Sequence, residues 1–236
     1  MKKIAIIALM ASALFAACGE NTRIDIKYDH PERYSVGDAT LTQPISGISV
    51  DWLFGDVDIR YTDNPAVRIY EEAQGLTDSL RMRYYVDEEG ELEIQYCGNG
   101  KYRYGDLKNM RKHLYIEVPH GMELKDIDID GVEVRVIIKN VVSRELTVDG
   151  VKINVNAYYP DAMPGDIDVD GVNNLLALWV KPTVGMTIDM AGVAHWLDCN
   201  LPSRKEGENT TVVGDGQCKV DVDGVNAKLS VDELNF

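Results

Sequence analysis

The chain has 236 residues, with 39 acidic against 24 basic side chains and a formal net charge of -15. A surface of that sign repels nucleic-acid phosphates and anionic lipid headgroups, which argues against DNA, RNA or a bare lipid surface as the partner. Its length suits one elongated domain or two small ones.

In chain order, residues 1–17 read as a targeting signal. Lys2 and Lys3 open it, and the apolar run from Ile4 to Ala17 is too short for a membrane-spanning helix. Small residues and then Cys18 follow Leu14-Phe15. That order fits a secretory signal, and it resembles the bacterial lipobox, whose cysteine becomes the lipid-anchored first residue of the mature protein. Cleavage leaves 22 basic against 39 acidic side chains, a net charge of -17. Residues 18–40 are polar and are predicted to form the anchor and a tether. Residues 41–120 hold strand-like runs. One predicted hairpin joins Leu80–Val86 to Leu92–Tyr96 through the glycine-bearing stretch 87–91. Another run, Leu114–Val118, is stopped by Pro119, and only Asp106–His113 suggests a short helix or polar loop.

From residue 121 onward one phrase recurs. It reads Ile127-Asp128-Ile129-Asp130-Gly131-Val132, then Leu146-Thr147-Val148-Asp149-Gly150-Val151, then Ile167-Asp168-Val169-Asp170-Gly171-Val172. Two more copies are Ile188-Asp189-Met190-Ala191-Gly192-Val193 and Val220-Asp221-Val222-Asp223-Gly224-Val225. From Gly131 to Gly192 the glycines keep a nearly constant step, and the last step, to Gly224, is longer. The alternation predicts strands with one buried face, and the period predicts parallel stacking of equivalent strands. The expected fold is all-β: a single-stranded parallel β-helix, or β-solenoid, of about 20 residues per coil, with a more irregular N-terminal β region continuous with it. Cys199 and Cys218 flank the one long insertion and would close it as a disulfide, an oxidising compartment permitting the bond.

This phrase, behind a lipobox and behind Gly55-Asp56-Val57-Asp58-Ile59 and Leu114-Tyr115-Ile116-Glu117-Val118-Pro119, resembles the bacterial envelope family called auto-transporter adhesin, head GIN domain. Related lipoproteins of unknown function are common in Bacteroides-type bacteria. The likeness covers about residues 40–236, and members usually carry Ser-Gly where this chain has Asp-Gly. The resemblance implies a β-helical fold and a role at the cell surface.

Stacking places the aspartates in columns. Asp128, Asp130, Asp168, Asp170, Asp221 and Asp223 serve either as a solvated face with turn-favouring residues or as ligands for a hard cation such as Ca2+. An EF-hand is excluded, because Ile137 and Ala177 stand where its bidentate glutamate belongs. No pair of carboxylates is singled out for glycosidase chemistry, no histidine has a partner at metal spacing, and no nucleophile motif occurs; the expectation is a non-enzyme without a resident cofactor. The basic, aromatic stretch around Tyr102, Arg103 and Tyr104, continuing to Lys108, Arg111, Lys112 and His113, is either a charge-protected sheet edge or a ligand surface for an anionic glycan or protein. The expected role is an adhesin-like envelope lipoprotein, periplasmic or surface-exposed, held at the outer membrane through its lipid. The alternatives are a structural or signalling partner of an envelope regulator and a carbohydrate-active β-helix enzyme.

Overall fold

The structure, a computed structural model, describes residues 21–234. It is all-β with one short helix. In chain order the strands are β1 (Arg23–Ile26), β2 (Ser35–Val36), β3 (Ala39–Leu41), β4 (Gly47–Thr62), β5 (Val67–Glu72), β6 (Arg83–Val86), β7 (Glu91–Gln95) and β8 (Gly100–Arg103). Helix α1 (Tyr104–Met110) follows, then β9 (Lys112–Pro119), β10 (Leu124–Lys139), β11 (Ser143–Tyr159) and β12 (Asp166–Val180). The last are β13 (Met186–Met190), β14 (Ala194–Cys199), β15 (Ser203–Lys205), β16 (Thr210–Val213), β17 (Cys218–Val222) and β18 (Asn226–Glu233).

The repeats pair in parallel and in register. Ile129 pairs with Val148, Val148 with Val169, Val169 with Val222, and Val222 with Met190. All five side chains are buried, as are their partners two residues earlier, Ile127, Leu146, Ile167, Val220 and Ile188. Each such aliphatic contributes about 1.5–3 kcal/mol relative to an exposed position, so the two columns are the spine of the core. Strand β4 extends them: Ile48 pairs with Ile127 and Val50 with Ile129. Its sequence hides this, because Trp52 stands opposite Gly131. One tier further out, β7 lies parallel to the first half of β4 and β9 to the second. Tyr96 follows Gln95, which pairs with Asp51, so it takes the place next to Trp52. These two buried rings meet edge to face at 5.0 Å. The N-terminal region and the repeats thus share one core, and the stretch 98–111 is an insertion at the corner of the outermost tier.

The stacking order departs from chain order at the C-terminal end. Sequence reading stacks the repeats one after another. Instead the last tier, β17 with β18, lies between β12 and the tier of β13 and β14. The chain oversteps one position after β12, turns back through the antiparallel strands β15 and β16, and fills the gap. The long last step of the repeat, from Gly192 to Gly224, is the length of that return. At the other end antiparallel strands close the stack: β6 covers β7, and β5 covers β9. Antiparallel closure of this kind removes open edges.

At the C-terminal end the β14 edge is uncovered among the described residues. β14 pairs with β18 alone, while β16 covers only its companion β13. Beside β14, Val193 is 85% and Trp196 68% exposed. The valine after each repeat glycine is therefore not uniformly interior. Val132 and Val151 are buried, whereas Val172, Val225 and Val193 become progressively more exposed toward this end. The physical difference is cover. Helix α1 packs on β4, and its Lys108 reaches Glu133 beside Val132; no comparable insertion among the described residues reaches the last tiers.

The predicted tether needs correction. Residues 23–41 contain β1, a 3-10 turn over Pro31–Arg33, β2 and β3, and Ile26, Tyr28 and Leu41 are buried. Any tether therefore ends before Arg23. The signal segment and Cys18 lie outside the described residues.

Candidate functional site

The site is built at the N-terminal end, where the corner insertion folds back. β1 and β8 form a separate antiparallel pair with Arg23 opposite Arg103 and Asp25 opposite Lys101. Like charges directly opposed cost stability in a sheet. Arg23, Lys101, Tyr102, Arg103 and Asp106 line a cleft of about 350 Å3 with Leu80. Among the described residues none of its three cations has a carboxylate within 4.0 Å. Tyr102 is fixed rather than free: its hydroxyl donates a shared bond to the carbonyls of Gly98 at 2.8 Å and Ser79 at 2.9 Å. That tie forms the wall between this cleft and a second one of about 380 Å3, which Tyr34, Val36, Ser79, Arg83, Gln95 and Asn99 line.

A larger groove of about 440 Å3 runs beside the middle tiers, but its charges are spent on one another. Arg135 makes a two-pronged bond to Asp56 at 3.0 Å for each prong, and Lys152 bonds Glu133 at 3.1 Å. The cations of the terminal cleft, without an ion pair among the described residues, are the contrast that marks it.

Of the three predicted ligand-surface residues, Arg103 is exposed and lines the cleft. Tyr102 lines it with a committed hydroxyl. Tyr104 does not belong to it: its ring packs edge to face on buried Phe54 at 5.5 Å. The basic run is also divided. Lys108 and Arg111 reach Glu133, His113 stacks on Tyr115 at 4.0 Å, and Lys112 is completely buried in an ion pair with Glu71. Arg23 and Arg83 were invisible as site residues, because only the folding back of β1 and β6 brings them there.

The aspartate columns are longer than the repeats alone imply. Asp51 pairs with Asp130, Asp130 with Asp149, and Asp149 with Asp170, and Asp223 continues the line. Because the last tier is inserted, Ala191 falls at the end of this column and does not interrupt it. Burial, then Asp128, Asp51 and Asp149, push the Asp130 carboxyl up to about 7. Burial, then Asp170, Asp128 and Asp168, push Asp149 up to about 6. Among the described residues no three carboxylates of these columns converge, whereas Ca2+ takes six to eight oxygens. Among the described residues three carboxylates converge at Asp87, Glu91 and Glu93 instead. There Asp87 already accepts the Glu89 and Glu91 amides at 2.8 Å, and the Tyr34 hydroxyl donates to Glu93.

The raised carboxyls make stability depend on pH with a definite sign. In the native state Asp149 and Asp130 hold their protons to higher pH than in the unfolded chain. The contribution of these two groups is therefore most favourable below about pH 4, where unfolded carboxyls are protonated too, and is lost as pH rises through about 6 and 7. Asp149→Asn is expected to raise the melting temperature by about 2–4 °C at pH 8, for a solvent-screened effect of about 1 kcal/mol, and to change it little at about pH 3.5, where the carboxyl is protonated in the unfolded chain as well. Thermal melts at both pH values check this; a gain equal at both pH values would assign it to something other than charge.

The expected disulfide is absent. Cys97, Cys199 and Cys218 are free thiols. Cys199 sits beside Val231, whereas Cys218 opens that tier beside Met186. Burial pushes Cys97 up to about 11 and Cys218 up to about 12, which makes them inert packing residues. Among the described residues no helix is long and apolar enough to cross a membrane.

No family model matches the chain, and no curated protein matches it either. Among solved structures the chain is similar to a candidate cell adhesion protein from Clostridium sporogenes ATCC 15579, with a TM-score of 0.64 and 14% identity over 85% of this chain and 100% of that one. At that identity the likeness is one of fold alone.

Proposed function

We propose that this chain is a non-enzymatic, adhesin-like protein of the bacterial cell envelope, anchored by lipid on Cys18. Its parallel tiers are the coils of a β-solenoid, and its N-terminal cleft binds an anionic glycan. The observation that carries this reading is the segregation of Arg23, Lys101 and Arg103 into one cleft of a chain with net charge -15. Three cations against the single carboxylate of Asp106 in the cleft lining, none of them in an ion pair among the described residues, are stabilised by a polyanion, and the acidic columns repel the same ligand from the rest of the surface. A tyrosine face beside arginine is a common recognition surface. The fold likeness to a candidate cell adhesion protein agrees with the reading.

Binding of polygalacturonate and of neutral dextran to the purified chain tests it. The expected result is salt-sensitive binding of the polyuronate alone, weakened at least tenfold, about 1.4 kcal/mol, by combined Arg23→Gln, Lys101→Gln and Arg103→Gln. Reducing ends should not accumulate during the incubation. Unchanged affinity in the triple variant, or capture of an envelope protein in place of the glycan, would overturn the assignment of the cleft. For the anchor, Cys18→Ser should move the protein from the membrane fraction to the soluble fraction.

A further inference from the structure

We propose that Arg83, in the second cleft, is the anchoring group for the carboxylate of an acidic sugar, a hexuronate unit. This rests on the glycan-binding reading above and adds to it a subsite and a ligand class. Three strands set the geometry. Val36 pairs with Arg83 and Arg83 with Gln95, so the three side chains form one row across β2, β6 and β7. The guanidinium packs against the insertion at Gly98. A Cβ on Gly98 would stand 3.0 Å from Nη2 and 3.2 Å from Nε, so glycine there is what admits the group. Nη2 donates to the Asp78 carbonyl at 2.8 Å, which fixes its orientation. Nη1 is buried and has no hydrogen-bond partner among the described residues. A buried donor left unmatched costs about 1–3 kcal/mol. With Nη2 held by one bond and Nη1 closed to solvent in this conformation, a planar carboxylate pairs with the fork by drawing the unmatched Nη1 toward the cleft.

The rest of the cleft suits a sugar ring better than an acidic peptide side chain. Val36, 50% exposed, and the Tyr34 ring give an apolar wall for the C–H face. The Gln95 amide and the Ser79 hydroxyl, which shares one bond with Thr77, give polar partners for ring hydroxyls, while the Asn99 amide is tied to the Tyr28 backbone at 2.8 and 3.0 Å and shapes the floor. The neighbouring acid, Glu93, accepts the Tyr34 hydroxyl, and the aspartate column begins behind Gln95 at Asp51. An anionic ligand therefore enters over the N-terminal rim, the side where the unpaired cations of the first cleft lie across the Tyr102 wall.

Amide chemical-shift mapping on the full folded chain tests the proposal with glucuronate, N-acetylglucosamine, glucose, inorganic sulfate and a glutamyl dipeptide as probes. The expected result is saturable shifts at Ser79, Gly98 and Asn99 with glucuronate, at least tenfold weaker with the other four. Arg83→Gln should abolish them, and Arg83→Lys should retain a weakened response. Equal response to N-acetylglucosamine would overturn the carboxylate, equal response to sulfate or the dipeptide would overturn the acidic-sugar class, and shifts at other residues would overturn the site. Because mapping uses the native chain, it stands even where Arg83→Gln fails to fold. Polygalacturonate binding distinguishes the two levels. If it survives Arg83→Gln undiminished while the first cleft's triple variant loses it, the subsite fails and the general reading holds; if the native chain binds no polyuronate, both fail.

Discussion

Gly150→Ala is expected to cost about 3 kcal/mol or more and to lower the melting temperature by roughly 6–12 °C. A Cβ at Gly150 would stand 2.1 Å from the Gly131 carbonyl oxygen on the tier before it. That oxygen belongs to a backbone held in register on both sides, by β4 and by β11. Ile153 Cδ1, 2.7 Å from the same Cβ, can swing away, but the carbonyl cannot, so relief requires moving whole tiers apart. The clash repeats up the stack: a Cβ at Gly171 meets the Gly150 oxygen at 1.9 Å, one at Gly224 the Gly171 oxygen at 2.5 Å, and one at Gly192 the Gly224 oxygen at 1.8 Å. The same sequence of contacts traces the inserted order of the last two tiers. Gly207→Ala is the control, because its nearest neighbour is the Thr210 hydroxyl at 3.4 Å; its melting temperature should stay within about 1–2 °C of the native value. Equal melting of the Gly150 and Gly207 variants would mean that the tiers are not packed as closely as this column requires.

This explains how much of the fold could be read from residues. Glycine at the corner serves close backbone approach, and the repeating Gly-Val therefore marks each tier where that approach is tightest. Where the corner widens to take an aromatic ring, the marker disappears. Ile48-Ser49-Val50-Asp51-Trp52-Leu53 is the same phrase with Trp52 for glycine, and Leu92-Glu93-Ile94-Gln95-Tyr96-Cys97 the same again with Tyr96. Both tiers were visible as strands and not as repeats. The stacking order was hidden for a different reason. All five repeats offer equivalent aliphatic columns, so any neighbour order buries them equally well. The choice falls to the return through β15 and β16, whose sequence signals a loop but not its destination.

The candidate site was legible in its chemistry and not in its membership. Tyr102 and Arg103 stood out because a basic, aromatic stretch is unusual on an acidic chain. Their partners come from segments far apart in sequence, Arg23 from β1 and Arg83 from β6, and no local pattern announces such a meeting. The run Arg111-Lys112-His113 misled for the opposite reason. Strand alternation turns every second side chain inward, and Lys112 is level with Gly55, which is itself level with inward-facing Val134. A charge in that column reads as surface until its burial is seen.

Lys112 is also where the second large effect is expected. Its Nζ lies 2.5 Å from Glu71 Oε2 and 2.8 Å from the Leu80 carbonyl, and it also donates to the Tyr96 carbonyl. It sits 4.9 Å from the Trp52 ring centroid and 4.4 Å from that of Tyr96. Burial lowers its pKa, opposed by Glu71; the bonds and ring faces together compensate its desolvation. The ammonium fastens β9 to β5, to the Leu80 loop and to the end of β7, and that loop and strand carry both clefts. Lys112→Met should cost about 3–5 kcal/mol, or roughly 6–20 °C in melting temperature, because it leaves the Glu71 carboxylate buried with only the Met82 amide, 2.7 Å from Oε1, to bond it. Adding Glu71→Gln removes the stranded charge while keeping an acceptor for that amide, so the double variant should melt above the single one by several degrees. Additive losses in the cycle would show that the two groups do not depend on each other. A pair that is coupled makes a further demand. Lys112→Met at a temperature where it remains folded should loosen the Leu80 loop first, and hydrogen exchange at residues 77–83 should then rise before exchange in β10 or β11 does.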